Sequence, residues 1–369
     1  MNIKHIAKEA GVSVATVSRV LNHPETVAPA TREKIQRVME EKGYTPNWFA
    51  RGLNFNRTKT IGLVIPHTLN SNYMEIANGV EEVARQKGYI TFICNMEKDP
   101  IMEREYIEQL ITRKVDGLIL MFSTINEEYR QWIEEEKTPA VRVGRNKGIN
   151  DWNSVDVDCR AGAAELVAHL VECGHERIGI LCGDTPEEEV NAMVQGYTNV
   201  LKASGKHSGD DLVKPVENNI EGGYIGMKRM IADATDEDVI DLQKLPQAIF
   251  STSDEIAFGA MDAIKDSGLK IPEDIAVVGF GNNRMSNLVE PKLTTVEQPF
   301  RKMGIYAARI LFDLIEEKQI KNGNGSKKKA GVGLDVEAEA KSEPRHIVLQ
   351  TKMRVRKSCG HKERIGEMF

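Results

Sequence analysis

The chain has 369 residues, of which 41% are hydrophobic and 28% charged, with a mean hydropathy of -0.37. This length predicts two or three domains with ample core, and the absence of a run of about 18 apolar residues excludes a membrane span. The charge is divided unevenly: residues 1–60 contain 10 Lys and Arg against 5 Asp and Glu, whereas the remainder contains 39 against 50. A basic segment of net charge +5 before an acidic body of -11 is typical of a protein that binds a polyanion through that segment alone.

The cysteines and the N-terminus indicate the compartment. The five cysteines are an odd number and form no Cys-x-x-Cys pair, so neither a disulfide framework nor a zinc ribbon is expected. The start of the chain, MNIKHIAKEAG, lacks the layout of a secretory signal. We therefore expect a cytoplasmic protein without a membrane partner, and we predict no cofactor and no metal site.

The first sixty residues predict short helices. Apolar residues recur at helical spacing from Ile3 to Ala10 and again from Val14 to Leu21, with Gly11-Val12-Ser13 as the break between them. A third helix is predicted over residues 31–42, with Gly43 as its stop. We expect residues 1–44 to form an all-α head.

From residue 60 the pattern changes to short β-rich runs that alternate with helical stretches. The strands are predicted at residues 61–65, 90–94, 117–121, 140–143, 178–182, 248–250 and 276–280. Helical stretches between them include residues 73–87, 103–114, 160–173, 254–267 and 301–317. This alternation predicts βαβ units with parallel sheets, hence an α/β body, and its length favours two lobes.

The chain after residue 318 interrupts this pattern. Residues 319–344 are rich in Gly, Lys and Glu and lack aromatic residues, so we expect a flexible surface insertion. A strand-like segment at residues 346–355 then rejoins the fold. The predicted body therefore comprises residues 60–318 and 345–357, and residues 358–369 form a polar tail.

The strongest functional signal lies in residues 6–22. Ala10 is small enough for two helices to cross closely, Gly11 suits a tight turn, and Ser13 can cap the next helix. That helix then presents Val14, Ala15, Ser18 and Arg19 outward, which suits insertion into a DNA major groove. The alternative is an ordinary surface helical hairpin. The turn, the cap and the local positive charge favour DNA binding.

These residues resemble the LacI/GalR family of transcription regulators. The resemblance covers nearly the whole chain apart from the insertion and the last ten or so residues. It also includes Gly43-Tyr44-x-Pro46-Asn47, Ala50-Arg51-x-Leu53, Gly174-His175-x-Arg177-Ile178 and Pro291-x-Leu293-Thr294-Thr295-Val296. The stretch from Gly279 to Pro299 looks especially close to the catabolite-control subgroup.

The resemblance implies roles for residues of the head. Val14, Ala15 and Arg19 match the positions that face base edges, where an Arg favours guanine. Positions that bind phosphates are matched by Thr16, Ser18, Asn22, Thr26, Thr31, Tyr44 and Asn47. Most of these are neutral donors, so a moderate salt dependence is expected.

Residues 45–59 match the family's hinge helix and linker. In the family two such helices pair in a dimer, and a leucine, here Leu53, wedges between the central base pairs from the minor groove. The matching minor-groove set is Ala50, Arg51, Leu53 and Asn54. The alternative for Leu53 is an apolar linker residue that packs on the body.

The body resembles periplasmic sugar-binding proteins, whose ligands lie beyond the carboxyl ends of the strands. This geometry nominates residues 67–73, 144–146, 183–189, 252–254 and 281–283. The candidate effector-binding residues are Asn70, Asn72, Tyr73, Arg145, Met193, Phe250, Ser253, Asp254, Gly281 and Asn282. Turns also favour Asn and Asp, so any single residue has a structural alternative.

Three positions depart from the family pattern. Ser253 stands where an Asn often precedes the aspartate, and the other two lack a charged residue. Met193 stands where many members carry an Arg, and Gly281 stands where many carry an Asp. A pocket without these charged contacts is not expected to hold an anion by an arginine clamp. The hypothesis is therefore a neutral sugar or oligosaccharide, with Gly281 and Met193 leaving extra room.

The sequence thus predicts a homodimeric repressor on a palindromic operator, controlled by a small ligand that acts as inducer. One alternative is a catabolite-control regulator that uses a phosphocarrier protein as corepressor, although Arg301-Lys302 replaces the Tyr-Asp pair of that subgroup. The others are a sugar-acting α/β enzyme with a fused head and a DNA-architectural protein without a ligand. No G-x-G-x-x-G, H-E-x-x-H or G-x-S-x-G motif supports an enzyme.

Overall fold

The structure of the protein, a computed structural model, describes residues 2–22, 24–44, 57–144, 152–184, 187–206, 209–237, 239–325 and 343–360. The chain divides into two compact units, Met1–Lys59 and Thr60–Phe369. Among the described residues, no helix combines the length and the apolarity that a membrane crossing needs.

The first unit is a three-helix head. Its helices are α1 (Ile3–Glu9), α2 (Val14–Asn22) and α3 (Pro29–Glu41). The core between them consists of six buried side chains, namely Ile6, Ala7, Ala10, Val17, Val20 and Ile35. Because each helix has one apolar face, packing the three faces together leaves the polar faces exposed. The predicted all-α head is confirmed.

The second unit contains two lobes, each built on a six-stranded sheet. The strands of lobe 1 are β1 (Thr60–Ile65), β2 (Ile90–Asn95), β3 (Gly117–Met121), β4 (Ala140–Val143), β5 (Ser154–Val157) and β13 (His346–Leu349). They are parallel and lie in the order β13-β5-β4-β3-β1-β2. The helices of this lobe are α4 (Ser71–Gln86), α5 (Pro100–Thr112), α6 (Glu127–Glu135) and α11 (Phe300–Gly325).

Lobe 2 repeats this architecture. Its strands are β6 (Ile178–Gly183), β7 (Val213–Val216), β10 (Ala248–Ser251), β11 (Ala276–Gly281), β12 (Thr294–Glu297) and β14 (Lys352–Arg354). They lie in the order β14-β12-β11-β10-β6-β7, with only β14 antiparallel to its neighbour. The helices are α7 (Cys159–Glu172), α8 (Glu187–Ala203), α9 (Ile220–Asp233) and α10 (Asp254–Asp266), and a hairpin joins β8 (Thr235–Asp236) to β9 (Val239–Ile240).

The chain passes between the lobes three times: from β5 to α7, from β12 to α11 and from β13 to β14. The sequence predicts one strand at residues 346–355, but the structure divides it between two sheets. The physical reason is the third crossing at residues 350–351. Three short connections between two lobes are typical of a hinge.

Two boundaries differ from those expected. Helix α11 continues to Gly325, past the expected start of the insertion at residue 319. At the other end, Ser358 and Cys359 are fully buried in a short turn, although residues 358–369 were expected to form a polar tail. Ser358 is held there because its hydroxyl bonds two strands of lobe 2, donating to Val277 O and accepting from Thr294 N.

Candidate DNA interface and effector cleft

The packing of the head determines which side of α2 faces outward. Val17 and Val20 are buried, whereas the three residues predicted to read base edges, Val14, Ala15 and Arg19, are exposed. The predicted cap of α2 is confirmed, since Ser13 Oγ accepts from the Thr16 N–H at 3.1 Å. Gly11 has a φ of +62°, as the predicted tight turn requires.

Most of the predicted phosphate-binding residues are at least partly accessible to a ligand. Thr26 is exposed, while Thr16, Ser18, Thr31 and Tyr44 are partly exposed, and Asn22 is the last residue of α2. The remaining members of the DNA set lie outside the described residues: Asn47, Ala50, Arg51, Leu53 and Asn54. The described part of the head therefore has the local geometry of a helix-turn-helix, and base and phosphate contacts remain predictions.

A cleft between the two lobes lies at the carboxyl ends of their strands. The empty space between its walls, part of which is open solvent, amounts to about 560 Å³. Among the described residues it is lined by Asn70, Asn72, Tyr73, Phe122, Glu189, Met193, Asn218, Thr252, Ser253, Asp254, Glu255, Phe280, Asn283, Gln298 and Phe300. Segments nominated by the rule that ligands lie beyond the ends of parallel strands contribute to this lining, and effector binding there stays a prediction.

Six of the predicted effector residues line this cleft, namely Asn70, Asn72, Tyr73, Met193, Ser253 and Asp254. Asn70 has a structural function as well, since its Oδ1 caps α4 by accepting from the N–H groups of Asn72 and Tyr73. Ser253 caps α10 in the same way. Arg145 lies outside the described residues.

Three predicted residues do not line the cleft. Phe250 is fully buried inside β10, because its ring packs in the core at 6.4 Å from that of Phe280, which does line the cleft. The Asn282 amide oxygen instead accepts from the Arg356 guanidinium at 2.7 Å. The space beside Gly281 is not free, since a Cβ there would lie 3.0 Å from the Asn72 amide nitrogen. Gly281 therefore permits a close approach of the lobes and does not widen the pocket.

Several lining residues were not selected from the sequence. Glu189 and Asn283 belong to nominated segments, but the nomination gave no reason to choose them over their neighbours. Asn218 follows β7, a strand that the apolar pattern did not indicate. The remaining aromatic residues, Phe122 and Phe300, lie at element boundaries and carry no turn signal.

Asp254 organises the wall of the cleft from within. Its carboxylate is buried and accepts from Asn283 N at 2.5 Å, Ser286 Oγ at 3.0 Å and Thr295 Oγ1 at 2.5 Å. Burial raises the pKa of Asp254, although these three donors and the positive charge of Arg356 act in the opposite direction. The side chain thus fixes the loop after β11 to the start of α10.

The cleft is polar, aromatic and weakly acidic. The rings of Tyr73 and Phe122 lie 5.2 Å apart. Burial raises the pKa of Tyr73, and the nearby carboxylates of Glu189, Glu255 and Asp184 raise it further. No Lys or Arg is among the described lining residues, so this wall offers hydrogen bonds and stacking surfaces and no arginine clamp for an anion.

Contacts between the lobes hold the cleft together on one side. Asn283 Nδ2 donates to Ser71 Oγ at 3.2 Å, and Arg284 pairs with Glu75 at 2.8 Å. Both contacts join the loop after β11 to the first turns of α4. Since these polar groups are partly exposed, each contact contributes little free energy, so they can exchange as the lobes move.

The described lining residues of the cleft include no group of His, Cys and acidic ligands with metal-binding geometry. His175, in the Gly-His-x-Arg stretch before β6, has its Nε2 at 3.2 Å from the Cys359 carbonyl oxygen. This contact gives the ring a structural partner.

The helix-turn-helix head and the two-lobed body each match a known protein family. The family described as "Bacterial regulatory proteins, lacI family" matches residues 2–47, and the "Periplasmic binding protein-like domain" matches residues 167–329. Catabolite control protein A of Staphylococcus xylosus is 34% identical over 324 residues, 88% of this chain and 95% of that protein. The same protein of Priestia megaterium is 33% identical over 322 residues, 87% of this chain and 94% of the relative.

Two solved structures are similar to this chain over nearly its whole length. A transcriptional regulator CelR–cellobiose complex is 28% identical, with a TM-score of 0.68 over 97% of this chain and 99% of that one. A lac repressor dimer bound to operator and the anti-inducer ONPF has the same fold, with a TM-score of 0.77, 23% identity and the same coverage of both chains. The chain therefore belongs to the LacI family of DNA-binding bacterial regulatory proteins.

Proposed function

We propose that this regulator is a homodimeric repressor that binds a palindromic operator and releases it when a neutral sugar or oligosaccharide occupies the cleft. The observation that carries the effector proposal is the chemistry of the cleft wall. Amides, hydroxyls and aromatic rings converge there beside carboxylates, and no described cation accompanies them.

Each part of this wall suits a polyhydroxylated ligand. Amide and carboxylate oxygens accept hydrogen bonds from sugar hydroxyls, and Asn side chains can also donate to them. Rings such as Tyr73 and Phe122 offer apolar faces to the C–H surface of a pyranose. An anionic ligand, in contrast, would meet Glu189 and Glu255 without an opposing described cation. The relative solved with cellobiose agrees with this choice of ligand class.

The homodimer is supported by the surface of lobe 1. Strand β2 lies at an open edge of its sheet, and Ile90 is 65% exposed and Ile93 47% exposed there. An exposed apolar edge strand is a site for a second chain. Two copies related by a two-fold axis would present two heads to the two half-sites of a palindrome.

The ligand can control DNA binding only if it prefers one arrangement of the lobes. Lobe closure around the cleft supplies such a preference, because the two lobes contribute different lining residues. Residues 46–54, which lie outside the described residues, correspond by resemblance to the family's hinge helices, and those helices pair only when the two copies hold them adjacent. A rotation of the lobes would therefore unpair these helices and release the operator.

The alternatives have weaker support. A phosphocarrier partner is disfavoured by Arg301-Lys302, which replaces the Tyr-Asp pair of that subgroup. The exposed ion pairs of Arg284 with Glu75 and of Arg301 with Glu82 are too weak to exclude a phosphate. A DNA-architectural protein without a ligand would be expected to fill its cleft with core side chains, whereas this one is open. We also propose that the chain acts in the cytoplasm and has no enzymatic activity, since its relatives are transcription regulators.

Isothermal calorimetry tests the ligand class. We expect the intact chain to bind a neutral mono- or disaccharide from a panel, and Asn72→Ala to weaken that binding at least about 10-fold through a lost hydrogen-bonding group. The matched control is Asn199→Ala, an exposed asparagine on α8 that does not line the cleft. Binding only to a purine or a sugar phosphate would overturn the proposal.

A further inference from the structure

A second group of chemically active side chains lies in lobe 2, apart from the cleft lining and the DNA face. His169 lies in the last turn of α7, Cys173 caps that helix, and Cys359 belongs to the C-terminal turn Lys357–Cys359. His169 Nε2 is 3.3 Å from Cys359 Sγ and 3.6 Å from Cys173 Sγ. All three potential ligand atoms lie within 4.8 Å of one another.

These distances match the distances between ligand atoms around one tetrahedral metal ion. With Zn–S bonds of about 2.3 Å and Zn–N bonds of about 2.0–2.1 Å, tetrahedral angles place S and N ligand atoms roughly 3.5 Å apart. The two observed S···N distances lie on either side of this value. Because His169 and Cys173 are four residues apart at the end of one helix, they point to the same side.

The third ligand is held in place by the fold. Ser358, its neighbour, bonds to both β11 and β12, and the Cys359 carbonyl oxygen receives the contact from His175 Nε2. The cluster is therefore preorganised between two segments separated by more than 180 residues in sequence. Since preorganised ligands lose little entropy on binding, such a site gains affinity.

The surroundings also favour a cation. The C-terminal end of α7 carries the negative end of the helix dipole. His169 and Cys359 are 3% and 0% exposed, so water competes little, while Cys173 is only partly buried and leaves a route of entry. Two thiolates and an imidazole are the ligand types preferred by Zn²⁺ and other thiophilic ions.

We propose that His169, Cys173 and Cys359 form a binding site for a thiophilic metal ion of the Zn²⁺ class. The ion binds the imidazole nitrogen and two sulfurs, its fourth position is open to an exogenous ligand, and two thiol protons are released. Bound there, the ion ties the C-terminal turn to α7 and stabilises lobe 2.

Cobalt titration of the reduced, metal-stripped full chain tests this site. We expect one Co²⁺ per chain, with the thiolate-to-metal charge-transfer band and the visible spectrum of tetrahedral coordination, and displacement by Zn²⁺. Cys173→Ser and His169→Gln should each weaken binding at least about 100-fold, since even second-shell changes cost 10–100-fold. Cys94→Ser, which removes a partly buried thiol in lobe 1, should bind like the parent chain.

A second readout is the thermal midpoint of unfolding. Zn²⁺ should raise it for the parent chain and for Cys94→Ser, but not for Cys173→Ser, whose fold is checked by circular dichroism. Absence of the charge-transfer band, or its persistence in Cys173→Ser, would overturn the proposal. So would a chain that forms a Cys173–Cys359 disulfide under mild oxidation yet binds no metal when reduced.

Discussion

Arg19 is the only charged side chain of α2, and it is exposed on the side of that helix opposite the buried Val17 and Val20. Replacing it with alanine should weaken operator binding by about 1–3 kcal/mol and relax the preference at one base pair. Fluorescence anisotropy with operator duplexes that vary at each position would measure both effects.

The control for Arg19→Ala is Arg37→Ala, which removes the same charge from the exposed face of α3. This variant should lower affinity uniformly across sequences and only through the general electrostatic attraction. Equal losses and equal base preferences in the two variants would contradict the assignment of Arg19.

Gly281 has both a positive φ and a close neighbour in the other lobe, whereas Gly88 has only the positive φ. The φ of Gly281 is +131°, and a Cβ there would press on the Asn72 amide of the other lobe, whereas Gly88 has a φ of +71° with open space around it. Both Gly→Ala changes should cost stability of about 1 kcal/mol from backbone strain. Only Gly281→Ala should also weaken sugar binding in calorimetry, because it hinders the approach of the lobes. Equal sugar affinities would show that Gly281 has a local role alone.

The site residues that could be predicted from the sequence are those whose role depends on their neighbours along the chain. Ser13 and Gly11 follow from cap and turn chemistry, and Asn70 and Ser253 lie in the loops after β1 and β10, immediately before a helix. Phe122 and Asn218 line the cleft only because distant strands bring them together, which no spacing in the sequence expresses. The contact between Asn282 and Arg356 is likewise a product of tertiary packing.

The loop after β11 depends on the buried carboxylate of Asp254 at the start of α10. Burial raises the pKa of Asp254 in the folded chain above its unfolded value of about 3.9. Between these two pKa values, the folded state therefore binds more protons than the unfolded state. The stability contributed by this titration is fully present below the unfolded pKa and is lost as pH rises through the folded pKa.

The variant Asp254→Asn removes this titration. Urea unfolding should therefore show the parent chain gaining stability relative to Asp254→Asn as the pH is lowered from 7 toward 4. Asp262→Asn, at an exposed position of the same helix, is the matched control for the loss of a carboxylate. A difference between the parent chain and Asp254→Asn that stays constant with pH, or that changes in the opposite direction, would refute this interpretation.

Strands β2 and β13 lie at opposite edges of the sheet of lobe 1. Ile93 on β2 and Val348 on β13 are equally exposed, at 47%. If β2 forms the dimer interface, Ile93→Lys should raise the dimer dissociation constant at least about 10-fold by placing an ammonium in an apolar contact. Analytical ultracentrifugation should find Val348→Lys dimeric; dissociation of that variant instead would assign the interface to the other edge.

The alternation of short apolar runs with helical stretches was sufficient to predict two α/β lobes. It did not predict that residues 346–355 divide between both sheets, since an extended segment has the same period in either lobe. It also did not predict β7, where Lys214 and Pro215 interrupt the apolar run. Edge position alone does not decide this, because β2 was predicted at an edge of its sheet, whereas the interior strands β5 and β12 contain polar residues and were not predicted.

For the whole molecule, the account requires that sugar binding and operator binding are coupled. Reciprocity requires each ligand to weaken the other by the same factor, and couplings of this kind typically amount to about 1–3 kcal/mol, or 5–150-fold. The sugar must therefore show weaker affinity for the operator-bound dimer than for the free dimer.

The most direct test is the operator affinity of the intact chain, measured by fluorescence anisotropy at fixed ionic strength with and without a saturating concentration of the sugar found by calorimetry. The account predicts a rise in the operator dissociation constant of at least about 5-fold, which Asn72→Ala shifts to higher sugar concentrations and Asn199→Ala leaves unchanged. An operator affinity that stays the same at saturating sugar would contradict the account.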